Sequence, residues 1–446
     1  MPKINRIFVL MLENRSFDSV FGFSELTGTL PDGTPAKANG LPVGPILNSD
    51  RKGKSYSFGK GAPFFLGFDP GHEFTDVCVQ LCGLSVATAD DVEDDRLVLG
   101  PTGYPALVRD LVSTGFCATY GDVGGKPADA FCAFTPDQLP VLNFLANQYA
   151  VCDGWFSSVP GPTWPNRFFA VAGTSSGLDN SPSEARVFEA LFTDVPVYAF
   201  PNGTVFSKLA PTDWLVVQGD VAQARAIAGI HEHRDRFVGM DNFLTQLRAG
   251  TLGAKFVYIE PEYDAKNDFR NGNSMHPAGD VRRGEALIKT LYDAISTSAF
   301  WPESVFLIVF DEHGGFFDHV RPPPAVQPGA PESAGLNEHN FRFDRYGVRV
   351  PAVVISPYVR AGTVDHTIYD HTSILKTTDR LLGLNGALNF SARVRAANDF
   401  SKVLSLDAPR ADTPKCPEPV AIDGETATSS GAPRAKDPFL PLYAHR

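Results

Sequence analysis

The chain has 446 residues, 43% of them hydrophobic and 20% charged, an ordinary globular composition that excludes disordered and collagen-like chains. With 39 Lys and Arg against 51 Asp and Glu the net charge is −12, which argues against a duplex nucleic-acid binder, for which a basic surface field is expected. No apolar run approaches the roughly 20 residues that span a bilayer, and six cysteines in a chain this long are too sparse for a disulfide scaffold.

Residues 7–12 form a continuous apolar run closed by Glu13-Asn14. Such a run predicts a central strand of a parallel sheet, covered on both faces. It is short for a secretory signal and no small-residue cleavage site follows. The cytoplasm is therefore the default compartment, with secretion or a periplasmic location left open for a processed or leaderless chain. Residues 24–62, rich in Gly, Pro, Ser and Lys, read as a surface excursion. Residues 78–135, with Cys78, Cys82, Cys117 and Cys132, read as a second insertion, and cysteine pairing stays open. Further strand runs fall at 214–217, 256–259, 305–310 and 352–355. The third of these ends in Asp311-Glu312. A third loop insertion covers 321–347. Helical periodicity appears over 241–248, stopped by Gly250, over 281–297, and from near Thr372. The alternation predicts an α/β fold, a three-layer α/β/α sandwich with a mostly parallel central sheet. One domain over 1–406 is expected, with 407–446 as an extended C-terminal tail lacking either period.

Ligands of an open α/β sheet bind beyond the carboxyl ends of its strands. Two expected strand ends deliver Glu13-Asn14 and Asp311-Glu312 to that edge. Three carboxylates and an amide brought together repel one another unless a cation neutralises them, and an all-oxygen set suits a hard divalent ion. The alternative for each acid singly is a helix cap or a solvated loop. Thr163, after Gly161-Pro162, stands at an expected helix start. It is either the cap or a hydroxyl nucleophile for phosphorus, surrounded by free N–H groups and activated by the ion. Asn166 and Arg167 are suitable donors to non-bridging phosphate oxygens. Ten histidines, among them His72, His276, His313, His319, His366 and His371, offer phosphate binding, proton transfer or metal ligation beside such a site. Singly, each reads as a surface or capped residue.

Five stretches occur in a fixed order. They are Leu12-Glu13-Asn14-Arg15-Ser16-Phe17-Asp18, Gly161-Pro162-Thr163-Trp164-Pro165-Asn166-Arg167, Ile259-Glu260-Pro261-Glu262-Tyr263, Asp311-Glu312-His313-Gly314-Gly315-Phe316-Phe317-Asp318-His319-Val320 and Tyr369-Asp370-His371-Thr372-Ser373-Ile374-Leu375-Lys376-Thr377. Together they resemble the phosphoesterase family of bacterial phospholipases C, plant non-specific phospholipases C and a related acid phosphatase. The resemblance implies an alkaline-phosphatase-like fold and a divalent ion (Ca²⁺, Mg²⁺, Mn²⁺ or Zn²⁺) on Glu13, Asn14, Thr163, Asp311 and Glu312. It implies that Thr163 is the nucleophile of a phosphothreonine intermediate. His72 and His276 match positions of phosphate-binding or acid–base histidines, and His319 and His371 fall in matching motifs. Expected substrates are a phospholipid such as phosphatidylcholine or a small phosphoester, with peripheral membrane contact, no nucleic acid and no obligate protein partner. The competing readings are a broad-specificity acid phosphatase and a catalytically silent phosphate- or lipid-binding module.

Overall fold

The computed structural model describes residues 2–83, 111–192, 197–230 and 232–422. The 84–110 part of the second insertion and the 423–446 part of the tail lie outside the described residues. Ten strands form one sheet among those described: β1 (Arg6–Leu12), β2 (Thr27–Thr29), β3 (Pro35–Lys37), β4 (Ala150–Cys152), β5 (Trp214–Gln218), β6 (Phe237–Gly239), β7 (Phe256–Glu260), β8 (Ser304–Phe310), β9 (Ala352–Ile355) and β10 (Thr363–Asp365). Their order is β6-β5-β7-β1-β8-β9-β4-β10-β2-β3. The apolar runs lie at the centre, where every residue of β8 is buried, as expected for strands covered on both faces.

Pairing is parallel from β6 through β8 and between β4 and β10. β9 runs antiparallel to both neighbours. Its apolar run signals burial but carries no direction. Direction follows from the connection: residues 311–351 contain no helix, so the chain re-enters the sheet from the edge it left, whereas a parallel return needs a crossover. The 24–62 stretch is not a surface excursion throughout, because β2 and β3 extend the sheet edge. Three-residue strands are too short to show alternation in sequence.

The helices that matter for the site are α1 (Phe74–Cys82), α2 (Pro140–Gln148), α3 (Thr163–Ala172), α4 (Met240–Ala249), α5 (Val281–Ser296) and α6 (Thr372–Leu381). α3 packs on α6, while α5 packs on α2 and α4, giving helical layers around the sheet. Gly250 ends α4 in the left-handed region at φ 67°, where glycine carries no Cβ penalty. Residues 407–422 have neither helix nor strand and lie along α5, where Pro414 and Ala421 carbonyls accept from Tyr292 and Arg282. All six cysteines are buried and unpaired. No described helix is long and apolar enough to cross a membrane.

Candidate active site

β1 and β8 are parallel neighbours with Leu12 opposite Phe310. The residues that follow therefore leave the sheet side by side, although 297 positions separate Asn14 from Asp311. Asp311 Oδ1 accepts from the amides of Asn14 at 3.2 Å and Glu312 at 2.7 Å. Asn14 takes a left-handed conformation, φ 56°, which Asn tolerates better than most residues. The Gly314-Gly315 pair lets three loops meet. A Cβ on Gly314 would collide with the Asn14 carbonyl, and one on Gly315 would stand 2.7 Å from the Gly71 carbonyl.

α3 enters the same edge. Pro162 is its N-cap and Thr163 its first helical residue, with no side-chain capping bond. The Thr163 hydroxyl instead donates to Asn14 Oδ1 at 3.3 Å, so the capping alternative falls away. Asn166 corrects the expectation of a phosphate donor. It is buried, its Nδ2 donates to the carbonyls of Val159, Gly161 and Pro162, and its Oδ1 accepts from the Val159 amide. Its task is to fold the turn that presents Thr163. Arg167 is likewise turned inward. Nε donates to Asp311 Oδ2 at 2.9 Å, Nη1 to Tyr263 Oη at 2.6 Å, and Nη2 lies 3.8 Å from Glu13 Oε1. Tyr263 in turn donates its own O–H to Glu260 Oε2 at 2.6 Å. Burial opposes the Arg167 charge, but Tyr263, Asp311, Tyr258 and Glu13 outweigh it.

Arg167 therefore supplies one internal counter-charge, and it is not enough. Glu13 Oε2 and Glu312 Oε1 are buried with no hydrogen-bond partner among the described residues. Burial pushes the Glu13 carboxyl up to about 7 against the pull of Arg167 and His276, and raises Asp311 as well. A buried carboxylate oxygen without a partner costs free energy that a ligand can recover. Glu13 and Glu312 flank Asn14 and Asp311 at the two strand ends, and Thr163 Oγ1 touches Asn14 Oδ1, so the donors on offer are all oxygen, the chemistry of a hard divalent ion. Among the described residues the one group of three acidic or His ligand atoms lying within 4.8 Å of one another is elsewhere, at Asp18, Asp318 and His319. There the Arg349 guanidinium already binds both carboxylates at 3.0 Å.

The histidines divide. His72 is half-buried, with Nδ1 2.8 Å from the Pro70 carbonyl. Burial acts to lower it, but Glu312, Asp69, Glu73 and Asp76 raise it to about 10, and an ion on Glu312 would remove part of that pull. His276 is buried, stacked on Phe269 at 3.7 Å, with Nε2 3.3 Å from Asp69 Oδ2 and Nδ1 3.3 Å from the Ala278 amide. An amide on Nδ1 leaves the proton on Nε2, the edge that faces Asp69. His319 corrects the catalytic expectation: its nitrogens engage Asp18 at 2.7 Å and Asn39 at 3.3 Å, inside the Arg349 network. His371 is corrected too. It is fully buried, held by Trp155 on Nδ1 and bound through Nε2 to the Asp311 carbonyl at 2.6 Å, and burial lowers it to about 4. It stays neutral and braces the strand end that carries Asp311. Asp69 was not among the expected site residues. Its position three residues before His72 in Asp69-Pro70-Gly71-His72 was the available signal.

The Phosphoesterase family model matches residues 4–385. Non-specific phospholipase C3 of Arabidopsis thaliana is 31% identical over 427 residues, covering 92% of this chain and 75% of that protein. Phospholipase C B of Mycobacterium tuberculosis is 27% identical over 447 residues, covering 92% and 79%. A solved protein in the alkaline phosphatase superfamily from Vibrio parahaemolyticus is a distant likeness, with TM-score 0.33 and 14% identity over 55% of this chain and 60% of that one.

Proposed function

The chain belongs to the phosphoesterase family, and from that premise we propose that it is a metal-dependent phosphoric ester hydrolase of phospholipase C type. It cleaves a phospholipid such as phosphatidylcholine between phosphorus and the glycerol oxygen, through a phosphothreonine. The observation that carries this reading is the Thr163 hydroxyl, released from capping and 3.3 Å from the Asn14 amide oxygen, in a pocket whose Glu13 and Glu312 each keep one partnerless buried oxygen.

Glu13, Asn14, Thr163 and Glu312 would hold the ion, which when bound lowers the pKa of the hydroxyl and offsets the phosphate charge, while Asp311, expected as a ligand, already accepts from Asn14, Glu312 and Arg167 and fixes the strand end instead. Thr163 Oγ1, its proton released to solvent, attacks phosphorus, and the free N–H groups at the start of α3 face the negative oxygens. His72, protonated and tied to the Pro70 carbonyl through Nδ1–H, gives its Nε2 proton to the departing glycerol oxygen and is left as the neutral ring. His276, neutral with its one proton on Nε2, donates that N–H to a non-bridging oxygen without releasing it, with Asp69 holding that edge of the ring. The neutral His72 Nε2 then takes a proton from the water that attacks the phosphothreonine, the bond from phosphorus to Thr163 Oγ1 breaks, and phosphocholine leaves.

The test supplies the protein with Ca²⁺, Mg²⁺, Mn²⁺ or Zn²⁺ in turn and compares dispersed phosphatidylcholine with p-nitrophenyl phosphate. Diacylglycerol and phosphocholine are the expected products. Inorganic phosphate from the monoester with no turnover of the lipid would make the chain a phosphomonoesterase. Thr163→Ala should cost on the order of 10³-fold or more in kcat, as loss of a covalent nucleophile does, and unchanged turnover would refute the covalent step.

A further inference from the structure

The loop of residues 62–69 points one side chain in and two out. Leu66 is buried with Tyr120, Ala130 and Phe316, and its amide donates to the Pro277 carbonyl at 2.7 Å. Phe65 and Phe68 on either side are 59% and 52% exposed. The Phe68 ring lies against Gly124, about where a Cβ there would meet it at 3.6 Å, and so beside Val123, itself 39% exposed. Phe64 rests over the Arg282 guanidinium, 4.3 Å from ring centroid to charge.

This edge adjoins the segment that carries His276. The residue after Phe68 is Asp69, paired with His276, and Pro277, which braces Leu66, is the residue after His276. Single exposed rings are normal on a protein surface. Two exposed rings on a loop anchored by its own buried leucine, next to the exposed turn at Val123 and Gly124 that Phe68 touches, form a patch that calls for a partner. Lys60 and Lys126, on segments flanking the patch, are exposed, although the chain as a whole carries −12. Aromatic rings with nearby lysines suit the headgroup boundary of a lipid surface.

We propose that Phe65, Phe68 and Val123 form the membrane-docking rim of this protein, which seats on a phospholipid bilayer and brings a headgroup to Thr163, with Lys60 and Lys126 facing anionic lipid. This rests on the phospholipase C reading for the source of the lipid. The rings contribute by burying apolar area in the interface, and the lysines add attraction only where the surface is negative.

The experiment uses the full chain loaded with its activating divalent ion and the double variant Phe65→Ser, Phe68→Ser. Co-sedimentation with phosphatidylcholine vesicles containing phosphatidylglycerol is expected to fall at least about tenfold, the scale of one half-buried ring, and vesicle hydrolysis to fall with it. Hydrolysis of a short-chain phosphatidylcholine below its micelle concentration stays within about twofold, and the melting temperature is unchanged because both rings are exposed. Lys60→Glu, Lys126→Glu weakens binding to the anionic vesicles and leaves binding to pure phosphatidylcholine vesicles intact. Unchanged vesicle binding by the phenylalanine variant overturns the proposal. So does an equal loss on vesicle and dispersed lipid, and so does a change of sedimentation of the free protein with vesicle binding intact, which would assign the rim to a second copy of the chain. If the wild-type protein turns over neither lipid while the phenylalanine variant still loses vesicle binding, the docking rim stands and the substrate reading fails.

Discussion

Glu13 and Asp69 are both carboxylates of the site, and their surroundings drive them in opposite directions. Burial dominates at Glu13 and lifts it to about 7. At Asp69 burial also acts to raise the carboxyl, but His276 and His72 outweigh it and hold it below its ordinary range. Asp69 is thus an anion that pairs with His276 and raises His72, which in the proposed mechanism makes it a positioning residue for the leaving-group proton. Its removal should matter in proportion to how much the leaving group needs that proton. Asp69→Asn should slow phosphatidylcholine hydrolysis about tenfold or more, within the range of general acid catalysis. It should barely change bis-p-nitrophenyl phosphate, whose phenolate leaves unaided. Equal losses on the two esters would mean that Asp69 only stabilises the loop. At this scale residue type and spacing marked Thr163 and the two acidic pairs. They did not show which way Asn166, Arg167, His319 and His371 point, because each partner lies in a different segment of the chain.

Elements were legible where their chemistry is local. The apolar runs became β1, β5, β7, β8 and β9, and the 3.6-residue periods became α4, α5 and α6, with the left-handed glycine after α4 where the sequence places it. The direction of β9 and the existence of β2 and β3 depend on connections and neighbours instead. The start of α2 shows the same dependence. Its N-cap Leu139 makes no side-chain capping bond, and Glu285 from α5 accepts the amides of Val141 at 2.7 Å and Leu142 at 2.9 Å in its place. Burial pushes Glu285 up to about 8 from an ordinary 4.5. A carboxyl raised on folding contributes stability that is fully present below its unfolded value and is lost as pH rises through its folded value. Glu285→Gln should therefore cost about 1 kcal/mol at pH 5, one hydrogen bond, and flatten the decline in stability that the wild type shows between pH 5 and 9. Urea denaturation at pH 5, 7 and 9 measures both. A variant with the wild-type slope would clear Glu285 of that role.

At the scale of the whole molecule, the site joins the first strand end to one 297 positions later, so occupancy of the site and folding are linked. With no ion, Glu13 titrates near 7 in the fold against 4.5 in its ordinary state, and the ion-free protein loses stability as pH rises across that window. An ion that binds only the folded carboxylates stabilises by about 2.7 kcal/mol at one hundred times its dissociation constant. It binds less well where protons compete. The gap in melting temperature between ion-loaded and EDTA-treated protein should be small at pH 5 and wide at pH 8. A gap that is constant across this range would show that the partnerless oxygens of Glu13 and Glu312 do not hold the ion.

Consecutive residues carry burial and local conformation, so the chain's own order already specified the strands that end in Glu13-Asn14 and Asp311-Glu312, the helix that starts at Thr163, and the family motifs. Convergence required the fold. The register that sets Leu12 against Phe310, the glycine pair that admits the Asn14 and Gly71 backbones, and the guanidinium of Arg167 among three buried carboxylates all join segments remote along the chain. Charge compensation in a dry interior depends on distance through space, and sequence separation does not encode it.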